Sequence, residues 1–410
     1  MTPEEQDHAF CWHPFTDQEE WERSDPLILE RGEGVWLYDR HGRRYFDGNS
    51  SIWTNIHGHG HPTLVEALRK QAGMLCHSSY LGAGHLGAGK LAEKLCQHFP
   101  TGTLARCFFS DNGSTALEVA LKMSLQWRAQ NGEEERTGVV AFERAYHGDT
   151  LGAASVGGVS RFLKGYGESG LSVLRVGGLE DLRRLPENVA STISALVIEP
   201  LVQGVNQMRH WPSGMLAELR AWCDQGGVHL ILDEVMTGFG RTGKMFACQH
   251  EGVVPDFLCL AKGLTGGTMP LAATLTTEKI YEGFKGGAER TFYYGHSYTA
   301  NALGCAVALA SLQVFEETAV LAEVTGKGAW LAEKLAVLSP RCLGLILAFE
   351  VEDGLVFCRR LREKGVLTRN ILTTVVLMPP LCSTQGELEW LAKVVLEVWE
   401  ESEAAGGRVH

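Results

Sequence analysis

The chain has 410 residues, 45% of them hydrophobic, which is enough for a large core with a second, smaller unit beside it. A formal net charge of -12, with no run of lysine or arginine, argues against a nucleic-acid or anionic-membrane partner. The eleven cysteines lack C-x-x-C spacing and several sit inside apolar runs (Cys107, Cys259, Cys305), which suits a reducing cytoplasm; the acidic start, Met1-Thr-Pro-Glu-Glu, is no signal peptide, and no apolar stretch approaches membrane-spanning length.

In chain order, the first fifty residues are rich in aromatics and turns. Short strand candidates, Gly34-Val-Trp-Leu-Tyr-Asp39 and Arg44-Tyr-Phe-Asp47, flank the turn Asp39-Arg-His-Gly42 and suggest a small antiparallel unit. Helical periodicity begins after Pro62 and recurs near residues 86 to 98, 114 to 129, 213 to 225, 299 to 317 and 386 to 401. Between these lie strand-like runs at 105 to 110, 138 to 142, 193 to 198, 228 to 232 and 257 to 260. Such alternation predicts an α/β fold, a mostly parallel sheet covered by helices, over residues 55 to 303. Residues 151 to 178 are Gly- and Ser-rich and read as a long surface loop. From Leu303 the pattern changes to a long helix, short strands near 343 to 350 and 373 to 378, and a closing amphipathic helix. Residues 304 to 410 are therefore expected to join residues 1 to 54 in a smaller α+β domain.

Two apolar runs, Val228-His-Leu-Ile-Leu-Asp233 and Phe257-Leu-Cys-Leu-Ala-Lys262, each end in one charged side chain. Strands buried on both faces read in this way, and open α/β sheets bind ligands outside their carboxyl ends. An acid and an amine placed there are the pair a pyridoxal phosphate enzyme needs, although two solvated loop charges fit the spacing as well. Ser110-Asp-Asn-Gly113-Ser114 follows a strand and opens a helix, where free N–H groups favour a phosphate; the same residues also make a plain helix N-cap. Ala145-Tyr146-His147-Gly148-Asp149 places an aromatic at another strand end, where it stacks on a planar ring or simply fills a turn. His57-Gly-His59-Gly-His61 offers imidazoles, but no cysteine or carboxylate cluster lies nearby and no metal is expected. Gly238-Phe-Gly-Arg-Thr-Gly243-Lys244 satisfies the spacing of a nucleotide-binding P-loop, yet Met245 stands where a hydroxyl should hold magnesium, and the acid precedes the glycines instead of following them.

With Asp233, Lys262, Gly113, Ser114 and Tyr146 in view, the chain resembles the class III aminotransferases among the fold-type I pyridoxal phosphate enzymes. The likeness runs nearly end to end and is carried by His13-Pro-Phe-Thr, Asp47-Gly-Asn-Ser-Ser-Ile-Trp53, Tyr146-His-Gly-Asp-Thr150, the string from Asp233 to Ala247, Lys262-Gly-Leu-Thr-Gly-Gly267 and Gly295-His-Ser-Tyr-Thr299. The resemblance implies pyridoxal 5'-phosphate as cofactor, with Lys262 as its Schiff-base lysine and Asp233 as the pyridinium partner. It implies Gly113 and Ser114 as the phosphate cradle, Tyr146 and Val235 on the two faces of the ring, and His296 with Ser297 reaching the phosphate of the other subunit in a homodimer. Trp53, Tyr146 and Gly295 match acceptor-pocket positions, and Arg369 matches the arginine that takes the acceptor's carboxylate, a task suited to a bidentate guanidinium. Arg241 and Asp149 match further polar positions of the pocket.

The likeness is greatest to members acting in biotin biosynthesis, with S-adenosylmethionine as amino donor and a keto acid as acceptor. Phe15 replaces the tyrosine of those members, Ile52 the first of two adjacent tryptophans, and His296-Ser297 a Pro-Thr pair. The resemblance implies that Phe15 and Ile52 line the donor pocket, and the Phe and aliphatic pairing resembles a lysine-using subtype. The alternatives are lysine as donor, another ω-amine or diamine aminotransferase, a P-loop hydrolase, and a binding protein that kept the fold.

Overall fold

The computed structural model describes residues 1 to 162, 164 to 165 and 170 to 406. Strands β1 (Leu29–Glu33), β2 (Trp36–Asp39) and β3 (Arg44–Asp47) form the expected antiparallel unit near the amino terminus. Next in the chain come β4 (Leu104–Ser110), β5 (Gly138–Phe142), β6 (Ser172–Val176) and β7 (Ile193–Ile198), then a short hairpin of β8 (Val202–Gln203) and β9 (Arg209–His210). The strands β10 (His229–Asp233), β11 (Phe257–Leu260) and β12 (Ala272–Thr277) follow.

Seven of these make one sheet in the order β4-β12-β11-β10-β7-β5-β6, with β12 antiparallel to its neighbours β4 and β11 and the pairs from β11 to β6 parallel. Every residue of β7, β10 and β11 is buried, as uninterrupted apolar runs such as Leu230-Ile-Leu require. Helices Gly113–Gln130 and Met215–Gly226 cover the sheet.

Past residue 340 lie β13 (Arg341–Leu343), β14 (Ile346–Glu350), β15 (Val366–Leu367), β16 (Arg369–Ile371) and β17 (Thr374–Leu377). Four of them form an antiparallel sheet in the order β13-β14-β17-β16, while β15 leaves it and pairs in parallel with β3. The two ends of the chain thus share a sheet.

The stretch from 151 to 178 differs from the loop reading where it is described. It holds a helix, Leu151–Ser155, and the edge strand β6, while residues 163 and 166 to 169 lie outside the described residues. An edge strand pairs on one side only and tolerates Arg175 and an exposed Ser172, so it carries no apolar run to betray it. Helices Val320–Lys334 and Gly354–Glu363 are likewise additions to the expected pattern.

Candidate active site

Because β5, β7, β10 and β11 run in parallel, their carboxyl ends meet on one edge of the sheet. Asp233 is the last residue of β10, Glu199 follows β7 by one residue, His147 follows β5 by five, and Lys262 follows β11 by two. A cavity of about 430 Å³ opens there, lined by all four together with Trp53, Gly113, Ser114, Tyr146 and Val235. Seven residues singled out from the sequence are thereby brought together across more than two hundred positions of chain.

Asp233 is held on both oxygens. Val235 N–H donates to Oδ1 at 3.1 Å and His147 Nδ1–H donates to Oδ2 at 2.7 Å. Burial works to lower the His147 pKa, but the bond to Asp233, its charge and that of Glu199 outweigh it, and the net shift is upward. Glu199, which accepts from Tyr146 N and Gly204 N, is pushed up to about 7, first by burial and further by Asp233, against the opposing pull of His147. Neither His147 nor Glu199 was singled out from the sequence. Glu199 carries the same signal as Asp233 and Lys262, one charge closing an apolar run, Ile193-Ser-Ala-Leu-Val-Ile198.

Lys262 opens a tight turn with φ of 37°, a left-handed value that a non-glycine residue adopts only under constraint. Its Nζ lies 4.4 Å from the centroid of the Trp53 ring and has no hydrogen bond or ion pair among the described residues. Burial lowers its pKa to about 8, against the opposing pull of Asp233 and Glu199. Near neutral pH a larger fraction of this amine is free base than of an exposed lysine, which suits a group that transfers protons.

Opposite, the helix Gly113–Gln130 starts at the cavity wall with Asn112 as N-cap, its side chain accepting from Thr115 N. The first-turn N–H groups of Gly113 and Ser114 have no intrahelical acceptor and present a partial positive charge to an anion. A Cβ on Gly113 would lie 2.6 Å from Val235 Cγ1, so only glycine allows that close approach. Tyr146 O–H donates to Asp149 Oδ2 at 2.6 Å, while Asp149 N–H donates to Ser114 Oγ at 3.0 Å. These bonds tie the aromatic wall to the helix start.

Trp53 reaches the cavity from a turn with reversed hand. Ser50, Ser51, Ile52 and Trp53 have φ of 45°, 48°, 65° and 68°, and Trp53 N and Thr54 N bond to the carbonyls four residues back. Left-handed helix costs an L-residue roughly 1–2 kcal/mol, and β-branched Ile52 tolerates it least. Asp47 offsets this: it accepts from Ser51 N at 2.8 Å, Ser51 Oγ at 2.8 Å and His59 Nε2 at 2.9 Å. The two bonds from the turn to this carboxylate, each contributing about 1.5–3 kcal/mol, offset much of the strain, and the bond from His59 fixes the carboxylate.

The remaining expected residues stand around the mouth and do not line the cavity of a single chain. Phe15 is 66% exposed and packs edge-on against Phe162, which in turn meets Tyr146. Ile52 is 48% exposed. Arg369, half-buried on β16, has no hydrogen bond or ion pair among the described residues, and its charge reaches Tyr146 and Lys262. Gly295 and His296 lead into a turn that begins at Ser297 and is closed by Thr299 N–H to His296 O, with His296 Nε2 4.0 Å from Asp111 of the same chain. Arg241 is a correction: it is fully buried away from the cavity and donates to Pro379 O, Ser50 Oγ and Asn55 O. The loop Gly238 to Lys244 therefore wraps this guanidinium into the core and does not open a helix as a P-loop does, while His57 and His59 are engaged by Ser311 and Asp47.

The model of the class III aminotransferase family matches residues 18 to 398. A protein of Nitratidesulfovibrio vulgaris named adenosylmethionine-8-amino-7-oxononanoate aminotransferase is 44% identical over 95% of this chain and 80% of its own length. The crystal structure of the Methanocaldococcus jannaschii protein of the same name superposes with a TM-score of 0.93 at 36% identity, covering 97% of this chain and 98% of that one. An amine transaminase from an uncultivated Pseudomonas species, solved in its PLP-bound form, superposes with a TM-score of 0.89 at 31% identity over 95% and 98% of the two chains.

Proposed function

Because this chain belongs to the class III aminotransferases, we propose that it transfers an amino group from S-adenosylmethionine to 8-amino-7-oxononanoate, giving 7,8-diaminononanoate in biotin biosynthesis. The observation that carries this reading is the 44% identity, over 95% of the chain, to a relative bearing the name of that reaction. The cofactor is pyridoxal phosphate, and the cavity fits it: a bare amine, a fixed carboxylate, a helix start closed to any side chain at Gly113, and flat or aliphatic walls. We assign Lys262, Asp233, Tyr146, Val235, Gly113 and Ser114 to holding it.

When bound, the cofactor supplies an electron sink for the charge left when a proton leaves the substrate carbon. Asp233, fixed by Val235 N and His147, would hold a proton on the ring nitrogen, and His147 orients that carboxylate. Lys262 takes the proton from the substrate carbon and returns it as general base and acid. Trp53 closes one wall against water, and Arg369 pairs with the substrate carboxylate.

The active form is read as a homodimer in which His296 and Ser297 complete the partner's phosphate site. Support comes from their position outside the cavity of one chain and from Met74, Leu81, Leu86, Tyr293 and Tyr298, which are 69%, 92%, 82%, 81% and 59% exposed. Residues 1 to 54 with 304 to 410 are taken as one small domain, supported by the pairing of β15 with β3. A cytoplasmic setting is our reading, supported by Cys223, Cys248, Cys259 and Cys305 serving as buried apolar side chains.

Lysine as donor is a second reading, favoured by Phe15 and Ile52 at the mouth in place of broader or hydroxylated aromatics. Single-turnover bleaching of the yellow, cofactor-loaded protein with each donor, followed by mass detection of 7,8-diaminononanoate, tests both. Rapid reaction with lysine and none with S-adenosylmethionine overturns the first donor, and no diamine with either overturns the function.

A further inference from the structure

From the geometry of the left-handed turn we infer that Asp47 and His59 are positioning residues for the substrate pocket: acting through Ser51, they hold the turn Ser50 to Trp53 in its reversed hand and so seat the Trp53 indole against the Lys262 amine. The inference rests on the reading of Trp53 and Lys262 as pocket walls.

Four consecutive residues at positive φ, none of them glycine, do not persist on local preference. The clasp that holds them is built. Asp47 is 2% exposed and spends both oxygens on the turn and on His59: Oδ1 takes Ser51 N, and Oδ2 takes Ser51 Oγ and His59 Nε2. His59 is itself pinned, since its backbone exchanges two hydrogen bonds with Gly34, and a Cβ on Gly32 would lie 2.7 Å from its side chain. At the far end of the turn, Trp53 Nε1 donates to Asn49 Oδ1 at 2.8 Å. The outcome is directional. Trp53 is 6% exposed and 4.4 Å from Lys262 Nζ, while its neighbour Ile52 faces outward. A right-handed turn over the same four residues would redirect the Cα–Cβ vectors and send the indole elsewhere. The middle imidazole of the His57, His59, His61 series thus acts on a wall of the pocket without touching substrate.

The test uses the full chain, in cofactor-free and loaded forms. In the cofactor-free wild type, the near-ultraviolet circular dichroism contributed by Trp53 is obtained by difference from Trp53→Phe. Asp47→Asn and His59→Gln should each reduce that contribution at least twofold. In the loaded enzyme each should raise KM for the keto acid about tenfold with kcat changed less than threefold. Adding Ser51→Gly to Asp47→Asn relaxes the strained backbone while keeping the Ser51 N–H, and should recover most of both signals. If Asp47→Asn does not fold, His59→Gln and His59→Gln with Ser51→Gly carry the same readouts. An unchanged Trp53 signal, a parallel loss of kcat and thermal midpoint with KM unmoved, or no recovery on adding glycine overturns the inference. A wild type that shows the Trp53 signal but makes no diamine would instead overturn the functional reading and leave the clasp standing.

Discussion

The two sides of the cavity are built in opposite ways. On the sheet side, Asp233, Glu199 and Lys262 emerge from strands buried along their whole length, and their positions follow from where apolar runs stop. On the mouth side, Trp53, Ile52, Phe15 and Arg369 come from the two ends of the chain, from a reversed turn, a segment exposed to solvent and a three-residue strand. The contrast teaches a division of labour. On the proposed function, groups that move protons sit on rigid, dry supports where small displacements are resisted, while groups that select substrates sit where a change in one side chain alters the opening without disturbing the core.

If that division holds, the largest effects come from the sheet side. Lys262→Ala should lower transamination on the order of 10⁴-fold, since the proton-transferring amine is gone. Borohydride treatment of the loaded wild type should fix the cofactor on Lys262 by peptide mapping, and a label on Lys244 or Lys90 would reassign the amine. Asp233→Asn should keep some cofactor yet lose activity by roughly 10²-fold, the value of one charge-assisted bond that a neutral amide cannot supply. Activity above a tenth of wild type would remove Asp233 from the ring nitrogen.

Glu199 tests how dry the sheet side is. Its folded pKa, raised from 4.5 to about 7, means that its contribution to stability is full below about pH 4.5 and is lost as pH rises through 7. Glu199→Gln, which cannot ionise, should escape that loss. The stability of the cofactor-free variant relative to wild type should grow by on the order of 3 kcal/mol between pH 4.5 and pH 8. Thermal midpoints across that range check it, and a constant difference means that Glu199 is solvated.

Changes at the mouth should be smaller and should separate the substrates. Arg369→Ala should raise KM for the keto acid roughly 10- to 100-fold with kcat less affected, because a half-buried carboxylate is left unpaired. If only donor kinetics change, Arg369 serves the donor. The double change Phe15→Tyr with Ile52→Trp should shift donor preference toward S-adenosylmethionine by up to about tenfold, the range of one added aromatic contact. A loss of both donors in equal measure would place selectivity elsewhere on the rim.

What the sequence by itself determined was five of the seven strands of the large sheet, β4, β5, β7, β10 and β11, and two of the charges that follow them, Asp233 and Lys262. A short apolar run such as Leu230-Ile-Leu, bounded by polar residues, reads as a strand buried on both faces, and this property is local, so Asp233 and Lys262 could be singled out by reading along the chain. The helix opening at Gly113 is legible for the same reason. The expectations of a role for Arg369 and of a homodimer rest on long motifs shared with a known family, which no spacing would have revealed. Tertiary structure alone decided that His147 grips Asp233 across 86 positions of chain, that Arg241 turns into the core to bond Pro379 O and Ser50 Oγ, and that residues 172 to 176 add an edge strand. It also decided the hand of the turn at Trp53. The sign of φ at Ser51 and Ile52 is not a preference of serine or isoleucine; it is imposed by a buried carboxylate on β3 and an imidazole pinned beside Gly32, whose bonds offset the local strain.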